Sequence, residues 1–259
     1  MFEPLRAVAD RLTTTDWPAL QHLGDQIAAR AEPILTGGGR ALSFVAQGGK
    51  PHRLQDRYEG RIFFRGEVQV RHANWHDLLN ALVWLTFPCA KAALNARHYQ
   101  ALPPPGRAGN RGPLQDALTL FDEGGVIVAA CDARLLELVT TFQWKELFWR
   151  RRLEVTSRMR FFLFGHALYE KALAPFSGIT GRAVLLEVGP ELLAAPIGAQ
   201  IGELDRMTAQ HLLDSRRLQS TRDLAPLPIL GVPGWCVENE NASYYDNTGY
   251  FRPGRLKAG

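Results

Sequence analysis

Proline 88 divides the most helix-like apolar stretch of the chain, NWHDLLNALVWLTFPCAKAALNARH (residues 74–98). It has no N–H to meet the Trp84 carbonyl, so a straight helix through the stretch is ruled out and the chain kinks or restarts there. Polar residues are set among Leu78, Leu79, Leu82, Val83, Trp84 and Leu85. At helical spacing His76, Asn80, Lys91, Asn95 and His98 fall within roughly a 100° arc. Such a seam is either a solvent face or a site, and a kink frees its two halves to aim at one point. Asn74 is placed to cap the first half, with Asp77 at the third helical position, where the helix end favours negative charge.

Around this stretch, helices are expected over residues 4–12, 17–31 (Asp16 as N-cap, Pro18 in the first turn), 114–123, 132–141 and 201–218. A longer helical region runs from Trp144 towards Ala174. Residues 42–46, 126–130 and 182–188 read as strands, and YEGRIFFRGEVQVRH reads as a hairpin turning at Arg65-Gly66. Gly37-Gly38-Gly39 reads as a flexible connector, because no Lys-Ser/Thr follows it and a strand does. Residues 226–259, rich in Pro, Gly, Asn and Tyr, should wrap the body as ordered coil docked by Trp235, Tyr244, Tyr245, Tyr250 and Phe251. The expectation is one α+β domain over residues 1–259, helix-rich, with a small mixed or antiparallel sheet. It divides into an N-terminal helical segment (1–36), a core (37–225) and the coil (226–259).

A formal charge of +4 over 259 residues is too small to argue for nucleic acid by itself. Cys89, Cys131 and Cys236 are odd in number and far apart, which argues against a disulfide framework or thiolate zinc and suits a reducing cytoplasm. The charged start MFEPLRAVADRL lacks the apolar core of a secretory signal, and no apolar run approaches a membrane span.

Three histidines on apolar helices, His76, His98 and His166, accompany Asp77, Asp116, Asp122, Glu123 and Glu170 from other positions. Imidazole with carboxylate suits a divalent metal (Zn, Mn or Fe), and His76, Asp77, His98, Glu123 and His166 are the candidate ligands. His76, His166 and Asp116 are the candidate catalytic groups. Asn80, Lys91, Asn95, Arg107 and Arg111 would line the substrate side, the two arginines from the basic loop GRAGNRGP closing over an anion. Glu170 lies one turn from His166 and can reach its imidazole, while Gly165 permits close approach of another backbone. A metal-free site remains open, with His76 as general base oriented by a carboxylate.

The His76-Asp77 doublet is similar to that of HD-type phosphohydrolases, with His72 or His98 and Asp116 completing the set. Over a longer span, NWHDLLNALVWLTFP, DALTLFDE, FGHALYEK and LPILGVPGW…YYD…FRP resemble a proteobacterial family catalogued as domain of unknown function 3025. The resemblance runs from about Tyr58 onwards and implies no activity. In that family Phe and Arg are common where Leu79 and Gln115 stand here, so an anion bound through that Arg would be weakened. The reading is a metal-assisted hydrolase of a small anionic or phosphorylated substrate. Its rival is a non-catalytic module in which the histidines are core struts and Arg150-Arg151-Arg152 contacts nucleic acid or an acidic partner.

Overall fold

The computed structural model describes residues 1–12, 16–48, 56–102 and 112–254. It opens with two short helices, α1 (Glu3–Ala9) and α2 (Leu20–Ala28), the second starting later than expected at an Ala19 cap rather than at Asp16. Strand β1 (Ser43–Ala46) pairs in parallel with β2 (Glu67–Val70), and helix α3 (Tyr58–Arg65) lies between them. The expected hairpin is therefore a helix followed by a strand. Ile62 packs inward, the Phe63 ring stacks on Tyr99 at 3.9 Å, and Gly66, at φ +75°, stops the helix in the left-handed conformation. Period-two spacing of Ile62 and Phe64 was a coincidence of a short amphipathic turn.

Helices α4 (Trp75–Thr86) and α5 (Pro88–Gln100) meet at Pro88 and bend by 110°. Asn74 caps α4 as expected, its Oδ1 accepting from Asp77 N at 3.0 Å. Nothing local caps α5. Asp205, on α11 (Ile197–Leu213), reaches it and accepts from the Cys89 and Ala90 amides at 2.9 and 2.8 Å. Arg97 of α5 returns the favour at the other end, donating to the Leu212 and Leu218 carbonyls at 2.6 and 2.9 Å. Each helix thus satisfies backbone groups that its neighbour leaves open.

Helix α6 (Pro113–Gly124) runs directly into β3 (Gly125–Ala130), which is wholly buried. The main sheet has the order β4-β3-β5-β6, with β4 (Met159–Leu163), β5 (Thr180–Glu187) and β6 (Ala225–Pro228). β3 is parallel to β5 and antiparallel to β4, so the sheet is mixed. Between β3 and β4 come α7 (Ala133–Thr140), a π-helical segment (Glu146–Arg150) and α8 (Arg152–Arg158). The expected long helix towards Ala174 is broken by β4, because MRFFL is equally at home on the edge of β3; α9 (His166–Ala172) begins afresh after Gly165. β6 reads APLP, and proline is tolerated there because the strand is at the sheet edge. The short helix α10 (Pro190–Ala194) precedes α11.

Gly37 and Gly38 are packed rather than flexible: a Cβ on Gly37 would lie 2.4 Å from Ala96 N, and one on Gly38 1.9 Å from Phe63 O. The coil after β6 packs on the body as far as residue 254, and residues 255–259 of the expected coil lie outside the described residues. The buried Asn239 donates to the Leu230 and Val232 carbonyls, and Trp144 Nε1 donates to Arg252 O at 2.9 Å. One apolar core runs from Leu5 to Phe251. Among the described residues no single helix is long and apolar enough to cross a membrane; α4 and α5 pass that test only together, across their bend.

Asp205→Ala should lower unfolding free energy by about 1–2 kcal/mol, the usual effect of losing an N-terminal cap, and Asp205→Asn by less. Urea unfolding followed by circular dichroism checks this; equal losses in both variants would show that charge, not capping, is at stake.

Candidate active site

The bend at Pro88 carries Lys91 beneath α4 and α6. Its Nζ lies 2.9 Å from Asn80 Oδ1 and 2.5 Å from Asp122 Oδ1, with the Trp84 ring centroid 5.4 Å away. Burial works to raise the Asp122 carboxyl, but the Lys91 ammonium, helped by His166 and His98, holds it below the usual carboxylate range. Asn80 turns its Nδ2 outward to donate to the Tyr58 hydroxyl at 2.5 Å, and burial pushes that phenol well above its ordinary value.

His166 is positioned by Gly165. A Cβ there would lie 2.4 Å from both Glu123 O and Gly125 N, so only glycine lets the start of α9 touch the α6–β3 junction. The expected close approach is found. Across it, His166 Nδ1 comes within 3.8 Å of Asp122 Oδ2, and His166 Nε2 lies 3.0 Å from His76 Nε2. His76 Nδ1 in turn lies 2.9 Å from Glu170 Oε2. Glu170, expected beside His166, instead reaches across to α4.

A carboxylate only accepts, so the Glu170 contact places the His76 proton on Nδ1 and leaves its Nε2 as a lone pair. His166 must then donate from Nε2, which leaves its own Nδ1 without a proton. His166 Nδ1 is buried beside Asp122, 3.8 Å from its Oδ2. Burial, with Lys91 and His76 adding to it, holds the His166 imidazole down at about 4 against the pull of Asp122, so the ring is neutral near pH 7.

A cavity of about 530 Å³ opens beside this pair, within the range usual for small-molecule sites. His76, His98 and His166 all line it. Four residues of α6 join them: Gln115, Thr119, Asp122 and Glu123. The rim adds Arg57, Tyr58, Glu59 and Arg71, with Asp77 and Asn80 from α4.

Several expected site residues stand elsewhere. Asp116 is exposed and does not line the cavity, because the inward stripe of α6 runs through 115, 119 and 122 and leaves it at the edge. Lys91 sits behind the wall as the counter-ion of Asp122. Asn95 is buried and donates to Glu59 Oε2 at 2.9 Å, tying α5 to α3. Asp77 accepts from the Arg71 guanidinium at 2.7 and 2.8 Å, so the HD-type arrangement does not form. Arg107 and Arg111 lie outside the described residues.

The five candidate metal ligands (His76, Asp77, His98, Glu123, His166) share the cavity but not a coordination sphere. Among the described residues no group of three or more His, Cys, Asp or Glu is placed to hold a metal ion. The facing imidazoles satisfy each other through one N–H, and so require no cation between them. Tyr58, Arg57 and Arg71 were not anticipated as lining residues. Asp122, one of the acids that accompany the histidines in the sequence, does line the cavity, seven residues after Gln115 on the same helical face.

A family model described as a protein of unknown function (DUF3025) matches residues 42–255. The chain belongs to the DUF3025 family. No curated protein and no solved structure matches it. The matched segment contains every described residue that lines the cavity. In this DUF3025 chain Gln115 uses its side-chain oxygen to accept from Gly112 N at 3.1 Å, closing the start of α6. The Arg150-Arg151-Arg152 run is matched by acids: Arg150 and Arg151 meet Glu146, and Arg152 meets Glu240.

The His166 imidazole sets a pH dependence. Its ordinary value is 6.5 and the fold holds it near 4, so between these the unfolded chain binds a proton that the folded chain excludes. Stability from this group is full above about pH 6.5 and falls as the pH drops, by about 3 kcal/mol on approaching pH 4. His211, also held near 4 by burial, acts in the same direction. Urea unfolding at pH 7 and pH 4.5 should show a smaller pH-dependent loss in His166→Asn than in the wild type; an identical loss would remove His166 from the account.

Proposed function

We propose that the cavity is a metal-free acid–base site that hydrolyses a small polar substrate. One observation carries this reading: His76, held at Nδ1 by Glu170, presents Nε2 beside the cavity, 3.0 Å from Nε2 of a neutral His166. In the resting chain the two Nε2 atoms bond each other. A water entering between them would give its proton to His76 as its oxygen bonds to the substrate's acyl carbon, with Glu170 favouring the imidazolium that forms. Freed of its acceptor, the His166 Nε2–H would donate to the carbonyl oxygen on which negative charge develops, and the His76 imidazolium would return the proton to the leaving oxygen or nitrogen as its bond to that carbon breaks. The Lys91–Asp122 pair keeps this machinery in register from behind.

An anionic substrate is less well supported than the reaction type. The described wall carries Glu59, Asp77, Asp122 and Glu123 against Arg57 and Arg71. Asp122 is matched by Lys91, which leaves no excess of positive charge facing the cavity. These observations support a neutral ester or amide.

Hydrolysis of a panel of chromogenic esters and amides tests this. His76→Asn should reduce kcat by about 10²–10⁴-fold, the contribution typical of a positioned acid–base group. Glu170→Gln should reduce it less, because orientation survives while charge support is lost. Turnover that is unchanged in His76→Asn would end the proposal.

A further inference from the structure

A second cavity, of about 770 Å³, shares no lining residue with the first. Its floor is one face of the β5–β6 ladder. Antiparallel pairing sets Thr180 opposite Pro228 and Arg182 opposite Pro226, so these four side chains stand on the same side of the sheet, and all four line the cavity. The turn after α11 supplies Arg222 to the wall, and the closing coil supplies Arg252.

The charge here is one-sided. Arg182, Arg222 and Arg252 line the cavity, and among the described residues no Asp or Glu does. Several other arginines of this chain meet carboxylates, as Arg61 meets Glu67, Arg134 meets Asp132 and Arg216 meets Asp214, while Arg97 and Arg160 donate to carbonyls. Among the described residues none of these three guanidinia is paired with a carboxylate, and an anionic ligand would supply the missing partner. Arg252 also hangs from a fixed backbone. Trp144 Nε1 holds its carbonyl, and its Nε donates to Gly249 O at 3.1 Å. Two residues earlier, the Tyr250 hydroxyl donates to Ile179 O at 2.7 Å and accepts from Leu230 N at 2.9 Å. The Trp144 and Tyr250 rings are themselves buried, so recognition rests on charge and hydrogen bonds rather than on open ring faces.

We propose that this cavity binds a small polyanion, a ligand with two or more phosphate or carboxylate groups, through Arg182, Arg222 and Arg252. Each guanidinium offers paired donors that match either group. The site is independent of the acid–base reading and stands or falls without it.

Isothermal titration of the full chain at low salt, with pyrophosphate and with citrate as probes, tests the proposal. One or both should bind at a single site, and affinity should fall at least about tenfold in Arg222→Ala and in Arg182→Gln, the scale of losing one charge-assisted contact. Arg222 is exposed, so its removal leaves folding intact, and circular dichroism verifies that for both variants. Tighter binding of pyrophosphate assigns the site to phosphates, and tighter binding of citrate to polycarboxylates. Arg57→Ala, in the first cavity, should leave binding unchanged. Absence of binding by both probes, binding insensitive to Arg222→Ala, or binding lost in Arg57→Ala overturns the proposal.

Discussion

A lysine ammonium that is 3% exposed dictates much of this architecture. Lys91 cannot remain charged in the core without a partner, and breaking such a pair commonly costs about 3–5 kcal/mol. Its partner Asp122 lies on α6 and its second acceptor, Asn80, on α4. The three helices must therefore converge on one point, which a straight α4–α5 rod would prevent. The break at Pro88 is what permits it. Once Asp122 is fixed, its second oxygen faces His166, and the Asn80 amide holds the Tyr58 hydroxyl. A structural ion pair thus sets the positions of the groups that line the cavity.

That convergence was partly legible in the sequence. Proline at 88 announced the break, the polar seam announced residues with no place in an apolar core, and Gly165 announced a tight approach. What the spacing could not supply was the partner of each group. Glu170 lies four residues from His166, where helical spacing favours contact, yet it bonds His76 across a helix–helix contact. Asp116 and Asp122 differ by six residues on one helix, and a shift of face decides which enters the cavity. Lys91 and Asn95 were found as buried polar residues, but whether they face a cavity or the wall behind it depends on the 110° bend. Among the strands, β3 and β5 are rich in Val, Ile and Leu and were read correctly. β4 contains Met, Arg, Phe and Leu, none β-branched, and β6 alternates with proline; both hold strand form because a neighbour supplies the ladder.

The histidine pair illustrates how one geometry can serve both as a core contact and as the acid–base pair proposed above. Nε2 to Nε2 bonding would be adequate for two buried rings. Here one ring, His76, has a half-exposed side chain and a carboxylate at its back, while the other is desolvated and neutral. The environments differ in the sense that separates a proton acceptor from a hydrogen-bond donor. Such asymmetry is what the proposed water-activating pair would use.

The segments outside the family match bear on the site without entering it. α1 and α2 precede residue 42 and line neither cavity. The Phe2 ring nevertheless lies 5.4 Å from that of Tyr169 on α9, and Trp17 meets Trp75 edge-on at 5.0 Å at the start of α4. These are the two helices that carry His166 and His76, each in its first turn. Packing the N-terminal segment on their outer faces restricts the rotation of either helix, and a rotation of one residue's worth would carry an imidazole out of reach of its partner. The lining groups thus all belong to the matched region, while part of the rigidity that holds two of them 3.0 Å apart is supplied from outside it.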